Sequence, residues 1–273
     1  MPVFTDQLGR TVELQKNARK IVSLVPSQTE LLHDLGLDDE IAGITRFCVR
    51  PSQWSQQKIK VGGTKKADIK KIRAIAPDLI LANKEENSRE QIEELAKQFP
   101  VWISNIASLE DALQMIESVG ELTGRNQQAI EMSAKIRRQF AAFKEQVQPF
   151  QSSATRAAYL VWRKPYMAAG GDTFINEMMK YCGFKNIFNS LLRYPEIQIN
   201  ELMINSGDEP GGCQLLLLSS EPYPFAQKHI DELQPHLPGT KIILADGEMF
   251  SWYGSRLLHT PDYFRQLLQK IQQ

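Results

Sequence analysis

Aromatic and basic side chains gather just beyond the ends of several apolar runs in this sequence, the position where open αβ sheets present groups to a ligand. Arg46 and Phe47, with Trp54 further along the same stretch, follow the run Ile41 to Ile44, and Asn83 with Lys84 follows Leu79 to Leu81. Trp162, Arg163 and Tyr166 come after Ala157 to Val161, while Tyr194, Trp252, Tyr253 and Arg256 lie on later loops. Aromatic faces hold a large flat molecule, and arginine offers a carboxylate or phosphate two parallel N–H donors. The same residues also suit a structural role, with aromatics plugging interfaces and arginine stems lying over apolar surface.

Other chemistries find less support. His33, His229, His236 and His259 are dispersed, without HxH or HExxH spacing. Cys48, Cys182 and Cys213 are odd in number, far apart and without CxxC spacing, which fits small, partly buried thiols in a reducing compartment better than a disulfide framework or a zinc site. Cys48 sits between Arg46 and Arg50, cations that would lower its pKa if it were exposed, yet no base lies near it in sequence and no GxSxG elbow is present. Gly62-Gly63-Thr64-Lys65-Lys66 has the wrong glycine spacing for a phosphate loop, and it reads as a solvated turn, with no strand against it, before a helix from Asp68.

The elements that must position these groups are legible in the apolar pattern. The β-branched run Ile21 to Val25 stops at Pro26, and Ser27 with Glu30 three positions on gives a helix-start signature with Ser27 as N-cap. Runs at 21–25, 41–44, 79–81 and 101–103 alternate with helical stretches at 30–36, 69–75, 90–99 and 109–123, which predicts a parallel sheet. Asn126 to Gln148 carries no Pro or Gly over about 23 residues, roughly 34 Å of helix, with Ile130, Ala134, Ile136, Phe140, Phe143 and Val147 on an apolar stripe. After a stop at Pro149, a second half is predicted with strands at 157–161, 214–218 and 241–244 and helices at 174–181, 199–204, 225–233 and 261–271. The expected organisation is therefore α/β, with an N-terminal lobe over 1–125, a connecting helix over 126–149 and a C-terminal lobe over 150–273.

Composition narrows the function classes. The 273 residues exceed the usual single domain, and 42% hydrophobic with 23% charged residues suffices for ordinary cores. Lys+Arg and Asp+Glu balance at 32 each, so no basic field exists to attract nucleic acid or an anionic membrane. No apolar run approaches the roughly 18 residues of a membrane span. The first residues lack a basic and then apolar leader pattern, so the sequence as written is expected to be cytoplasmic, or periplasmic or at the cell surface if a signal was removed.

Thr5-Asp-Gln-Leu-Gly-Arg10, Lys20-Ile-Val-Ser-Leu-Val-Pro-Ser-Gln-Thr-Glu30, Val61-Gly-Gly63, Ala76-Pro-Asp-Leu-Ile80, Gly171-Asp-Thr-Phe-Ile-Asn176, Cys182-Gly-Phe-Lys-Asn-Ile187 and Trp252-Tyr-Gly-Ser-Arg256 resemble, in order, the successive signatures of the helical-backbone substrate-binding proteins that serve ABC importers of cobalamin, haem and iron siderophores. The resemblance implies two αβ lobes with parallel-type central sheets joined by one stiff helix and a ligand in the cleft between them. It also implies that the aromatic and basic residues above face a corrin, a porphyrin or a catechol complex. A related branch binds bare zinc or manganese through several cleft histidines, which this chain does not supply. His259, beside Arg256, is the one histidine placed to serve as an axial ligand.

Members that dock on an importer carry a glutamate on the outer surface of each lobe, to meet arginines of the permease. Counting back from Pro77 and on from Glu196 puts Lys70 and Asn200 at these positions, which turns an attraction into a repulsion at one of them. The expected function is thus non-enzymatic capture of a cobalamin-like, haem or ferric siderophore ligand, with no required cofactor and an ABC permease as a doubtful partner. The alternative is a cytosolic enzyme or sensor acting on a tetrapyrrole or metal chelate.

Overall fold

The computed structural model describes residues 2–147, 155–203 and 212–272. Two compact units divide the chain: Met1–Ile106, Glu110–Arg137 and Tyr253–Leu258 form the first, and Ala107–Leu109, Arg138–Trp252 and His259–Gln273 the second. The predicted stop at Pro149 lies outside the described residues.

In the first unit, β1 (Val3–Thr5) and β2 (Thr11–Glu13) form an antiparallel hairpin. Asp6 closes its turn by accepting from the backbone N–H groups of Leu8 and Arg10 and from the Arg10 guanidinium. Strands β3 (Ile21–Ser23), β4 (Ile41–Ile44), β5 (Ile59–Lys60), β6 (Leu79–Asn83) and β7 (Val101–Ser104) make a fully parallel sheet in the order β5-β4-β3-β6-β7. In its centre Ile21 lies opposite Leu79, and Ser23 opposite Leu81. Helices α1 (Pro26–Asp34), α2 (Ser52–Gln57), α3 (Ile69–Ile75), α4 (Arg89–Ala96) and α5 (Leu109–Thr123) connect and cover the strands. Continuous apolar runs such as Leu79 to Ala82 are buried throughout, as a sheet covered on both faces requires.

Helix α1 begins two residues earlier than its signature predicts. Pro26 is its first residue, because the fixed φ of proline suits a first helical turn, and Val25 is the N-cap without a side-chain bond. Ser27 therefore lies inside the first turn, buried, and does not cap. The turn at Gly62 to Lys66 also departs from expectation, since β5 ends at Lys60, one residue short of it, and Gly62 bridges to Ala67. Asp68 caps α3 by accepting from the Lys71 N–H.

Helix α6 (Asn126–Val147) is one continuous element whose residues through Arg137 belong to the first unit and from Arg138 to the second. Its predicted last residue, Gln148, is beyond the described residues.

The second unit is built on β8 (Thr155–Trp162), β9 (Tyr166–Ala168), β10 (Phe184–Asn186), β11 (Glu196–Ile197), β12 (Leu215–Ser219) and β13 (Lys241–Ala245), with α7 (Phe174–Tyr181), α8 (Gln227–Leu233), α9 (Gly247–Ser251) and α10 (Thr260–Gln272). Its sheet runs β11-β9-β8-β12-β13, and β10 also pairs with β8. The β8, β10, β12 and β13 pairings are parallel, while β9 and β11 are short antiparallel additions. The predicted helix at 199–204 is a 3-10 turn over Ile199–Leu202, and Ile204 is outside the described residues. Leu160, Leu216, Leu218 and Ile242 anchor the core of this unit, and Val22, Ile72, Ile80 and Val101 that of the first.

Candidate functional site

At the carboxyl ends of the first unit's strands, short polar side chains bond to one another instead of facing outward. Thr29 in α1 donates to Ser23 Oγ at 2.8 Å and lies 3.0 Å from Cys48 Sγ, and Thr45 lies 3.2 Å from the same sulfur. Cys48 is fully buried and burial pushes its thiol up, which removes the nucleophile that flanking arginines would favour at an exposed site. Asn83, expected to read a ligand, is also buried. Its amide donates to the carbonyl and hydroxyl of Ser104, and its Oδ1 accepts from the N–H groups of Glu85 and Glu86. It shapes the loop after β6 and has no bonding capacity left to offer.

Trp54 is likewise internal: 1% exposed, its indole donating to Asp38 Oδ1 at 2.7 Å, with the His33 ring edge-on at 5.3 Å. Phe47, by contrast, is 54% exposed, and the Arg46 guanidinium lies 5.6 Å from its ring centroid. Arg46 is exposed and makes no ion pair among the described residues, and Lys84 is exposed beside Asn83. These three are the members of the expected set that the first unit leaves open to solution.

A six-residue strap, Tyr253–Leu258, completes this unit. A Cβ on Gly254 would lie 2.7 Å from the Ser27 carbonyl oxygen, so the strap crosses the first turn of α1 at backbone contact. Tyr253 is buried and donates to Glu86 Oε1 at 2.9 Å, and burial pushes its phenol well up. Arg256 grips both oxygens of Glu30, with Nε 3.0 Å from Oε2. Glu30 thus serves an ion pair where its sequence signature points to a capping box, and Arg256 is closed to a ligand carboxylate.

In the second unit, Trp162 ends β8 and is 40% exposed. Tyr223 stands edge-on to it at 5.8 Å and packs on Phe225 at 4.8 Å. His229 is buried behind them, its Nδ1 accepting from the Ala226 N–H at 2.8 Å and its Nε2 3.2 Å from the Tyr223 oxygen. With both ring nitrogens engaged, His229 has no position for a metal. Arg163 is held by two bonds of 2.6 Å to the Glu232 carboxylate, so its expected contact with a ligand anion is replaced by an internal one. Tyr166 on β9 and Tyr194 are half-buried.

Trp252 is 5% exposed, and its indole donates to Glu221 Oε1 at 2.9 Å, where Ser251 also donates at 2.8 Å. Its ring is a packed anchor of this unit and not an open face. Burial pushes the Glu221 carboxyl up, and Glu248 and Asp246 add to the shift. His259 is exposed at the start of α10, and no group of three or more His, Cys, Asp or Glu able to hold a metal occurs among the described residues.

Tyr223, His229 and Glu221 were not anticipated. Tyr223 lies between two prolines four residues past the end of β12, so the strand-end rule that found Trp162 would have found it too if applied to that strand. The residues that carry the family signature in this unit are scaffold. Thr173 caps α7, Asn176 donates to the Gly171 carbonyl, and Asn186 donates to the Ala169 carbonyl and to Asn176 Oδ1. Among the described residues no helix is long and apolar enough to cross a membrane.

Comparison with known proteins places this arrangement. The chain is 25% identical over 206 residues to the vitamin B12-binding protein of Vibrio parahaemolyticus, covering 74% of this chain and 72% of that one. Its fold matches the periplasmic vitamin B12-binding protein of Vibrio cholerae with a TM-score of 0.77 at 19% identity, over 94% and 99% of the two chains. It also matches the molybdate periplasmic binding protein of Haemophilus influenzae with a TM-score of 0.79 at 14% identity, over 100% and 91%. Residues 21–207 fit the sequence profile of the periplasmic binding proteins, and the chain belongs to that family.

Proposed function

We propose that the protein captures a metal chelate with a broad flat face, of the cobalamin, haem or ferric siderophore kind, as a substrate-binding protein of the ABC-importer type. The observation that carries this reading is that each unit leaves an aromatic ring open at the carboxyl end of its own sheet, Phe47 beside an unpaired Arg46 and Trp162 beside Tyr223. Open rings at that edge suit a flat ligand, and an open guanidinium suits an acidic group upon it. The similarity to a vitamin B12-binding protein supports the same class.

The test is a titration with cobalamin, cobinamide, haem and a ferric siderophore, followed by tryptophan emission. At least one of them should quench the emission at micromolar concentration. Trp162→Ala, read by calorimetry because the change removes the reporter, should weaken that ligand by about 1 to 3 kcal/mol. Unchanged emission with all four, or a Trp162→Ala variant that binds as the parent does, would sink the reading.

Lys70 and Asn200 bear on the partner. Both are exposed, while Ile72 and Leu202 on the same turns are buried. With a cation and an amide at the expected docking positions, the parent should bind a reconstituted corrinoid permease weakly, and Lys70→Glu with Asn200→Glu should raise the association rate in a salt-sensitive way. Surface-plasmon measurement decides it, and tight binding by the parent would show that the docking contact lies elsewhere.

A further inference from the structure

The even balance of charge over the whole chain conceals one strongly basic stretch. Residues 58–73 hold six lysines and Arg73 against a single acid, Asp68. Three of these cations are turned inward or paired. Lys58 donates to the Asp38 carbonyl and lies over the Trp54 ring, the Lys60 Nζ is buried, and Arg73 pairs with Glu94 at 2.6 Å. The other four, Lys65, Lys66, Lys70 and Lys71, are exposed on the turn after β5 and the first turn of α3. The Lys66 and Lys70 ammonium groups have no polar partner among the described residues. Lys65 reaches only the Glu85 carbonyl, and Lys71 the Lys60 carbonyl and, at 3.8 Å, Asp68.

Helix α3 is not stabilised by this arrangement. A helix N-terminus carries partial positive charge, so Lys70 and Lys71 stand at the wrong end, with only the cap, Asp68, to oppose them and no acid in the first turn. Residues that break a local rule without a local benefit mark a surface with another use. One apolar side chain belongs to the same surface. Strand β5 is the edge of its sheet, and Ile59 pairs with Gly43, where an added Cβ would meet Ile75 of α3 at 2.9 Å. Ile59 therefore lies on the face that α3 covers, yet it is 53% exposed, and Lys71 Nζ reaches the neighbouring Lys60 carbonyl at 3.4 Å.

We propose that this edge of the first unit is an electrostatic docking surface for an anionic lipid bilayer, with Lys65, Lys66, Lys70 and Lys71 on the headgroups and Ile59 at the headgroup boundary. Lysine clusters of this size suit a diffuse negative surface, and an apolar neighbour adds to the contact. A fitted protein partner suits the surface less well, because protein interfaces are depleted in lysine and use arginine and aromatic anchors. The one arginine is bound to Glu94, and no aromatic residue occurs between Lys58 and Arg73. Without rings to stack on bases, the surface does not fit single-stranded nucleic acid either.

Sucrose-loaded vesicles of equimolar phosphatidylserine and phosphatidylcholine are sedimented with the parent and its variants in about 0.1 M salt. The parent should sediment with them and not with phosphatidylcholine alone, and about 0.5 M salt should release it. Lys66→Gln with Lys70→Gln should weaken the partition by about 10- to 30-fold, and Ile59→Ser by about 3- to 10-fold. Lys144→Gln with Lys228→Gln, an equal change of charge on exposed residues of the second unit, should stay within about twofold. If one variant fails to fold by its melting curve, the other carries the test with the salt and lipid dependence of the parent.

A parent that ignores the mixed vesicles, a folded variant of this surface that loses no more than the control, or tighter binding to polyglutamate or duplex DNA overturns the inference. Failure of every ligand in the titration above would overturn the binding function and leave this surface standing.

Discussion

Gly171→Ala is expected to destabilise the second unit by about 3 kcal/mol or more, at the upper end of what overpacking costs. A Cβ at this position would lie 1.9 Å from the Asn189 carbonyl oxygen and 2.9 Å from its carbon, and the obstacle is backbone, which no rotamer change can clear. The two segments are also tied there, since the Gly171 N–H donates to the Leu191 carbonyl at 2.8 Å and Asn176 donates to the Gly171 carbonyl. Moving Asn189 away would break its bond with the Asn176 amide as well. Gly239→Ala is the control, because nothing lies within 4 Å of the added methyl. It should be neutral or stabilising by up to about 1 kcal/mol, through the unfolded chain. Urea unfolding of both variants separates the cases, and a Gly171→Ala midpoint equal to that of the parent would refute the close approach.

Arg256→Ala should cost about 2 to 3 kcal/mol, somewhat less than the loss of a fully buried pair because the two side chains keep 11% and 15% exposure. Removing the guanidinium takes from the Glu30 carboxylate the bidentate ion pair that holds it beneath the strap. Glu30→Gln should cost a similar amount. The double variant should cost clearly less than the sum of the two, since neither charge is then stranded. Thermal unfolding of the four proteins in 0.1 M salt gives the coupling, and strictly additive losses would show that the pair contributes nothing as a pair.

The architecture was readable because it rests on local periodicity. The alternation of apolar runs and helical stretches from Ile21 to Ile103 predicted the parallel sheet, and the long stripe from Asn126 predicted α6. Positions at strand ends were readable for the same reason. What those side chains do there was not. Trp54 is spent on Asp38, 16 residues away, Arg163 on Glu232, 69 away, and Arg256 on Glu30, 226 away. Nothing in a local pattern indicates that such a partner exists, so a side chain offered to a ligand and one spent on a distant carboxylate look alike in sequence. The short antiparallel strands β9 and β11 escaped for a related reason, since two or three residues held by pairing alone leave no periodicity.

The family signatures explain a further asymmetry between fold and ligand. Asp6, Asp78, Thr173, Asn176 and Asn186 all bond to backbone groups at turns and helix ends, Asp78 by accepting from the N–H groups of Arg19 and Lys20. Bonds of this kind hold the backbone and touch no ligand, in keeping with a chain that matches a vitamin B12-binding protein and a molybdate-binding protein about equally well in shape. Phe47, Trp162 and Tyr223 lie outside those signatures.

The strap has a consequence for how the chain is made. The first unit includes Tyr253–Leu258, yet the residues just before it in that unit end at Arg137, roughly a hundred positions earlier. At about 5 to 20 residues per second, a ribosome takes on the order of ten seconds to cover that distance. During this time α1 stands with its first turn uncovered and Glu30 without its arginine. The first unit therefore cannot be completed vectorially, because its strap is synthesised only after nearly the whole of the second unit.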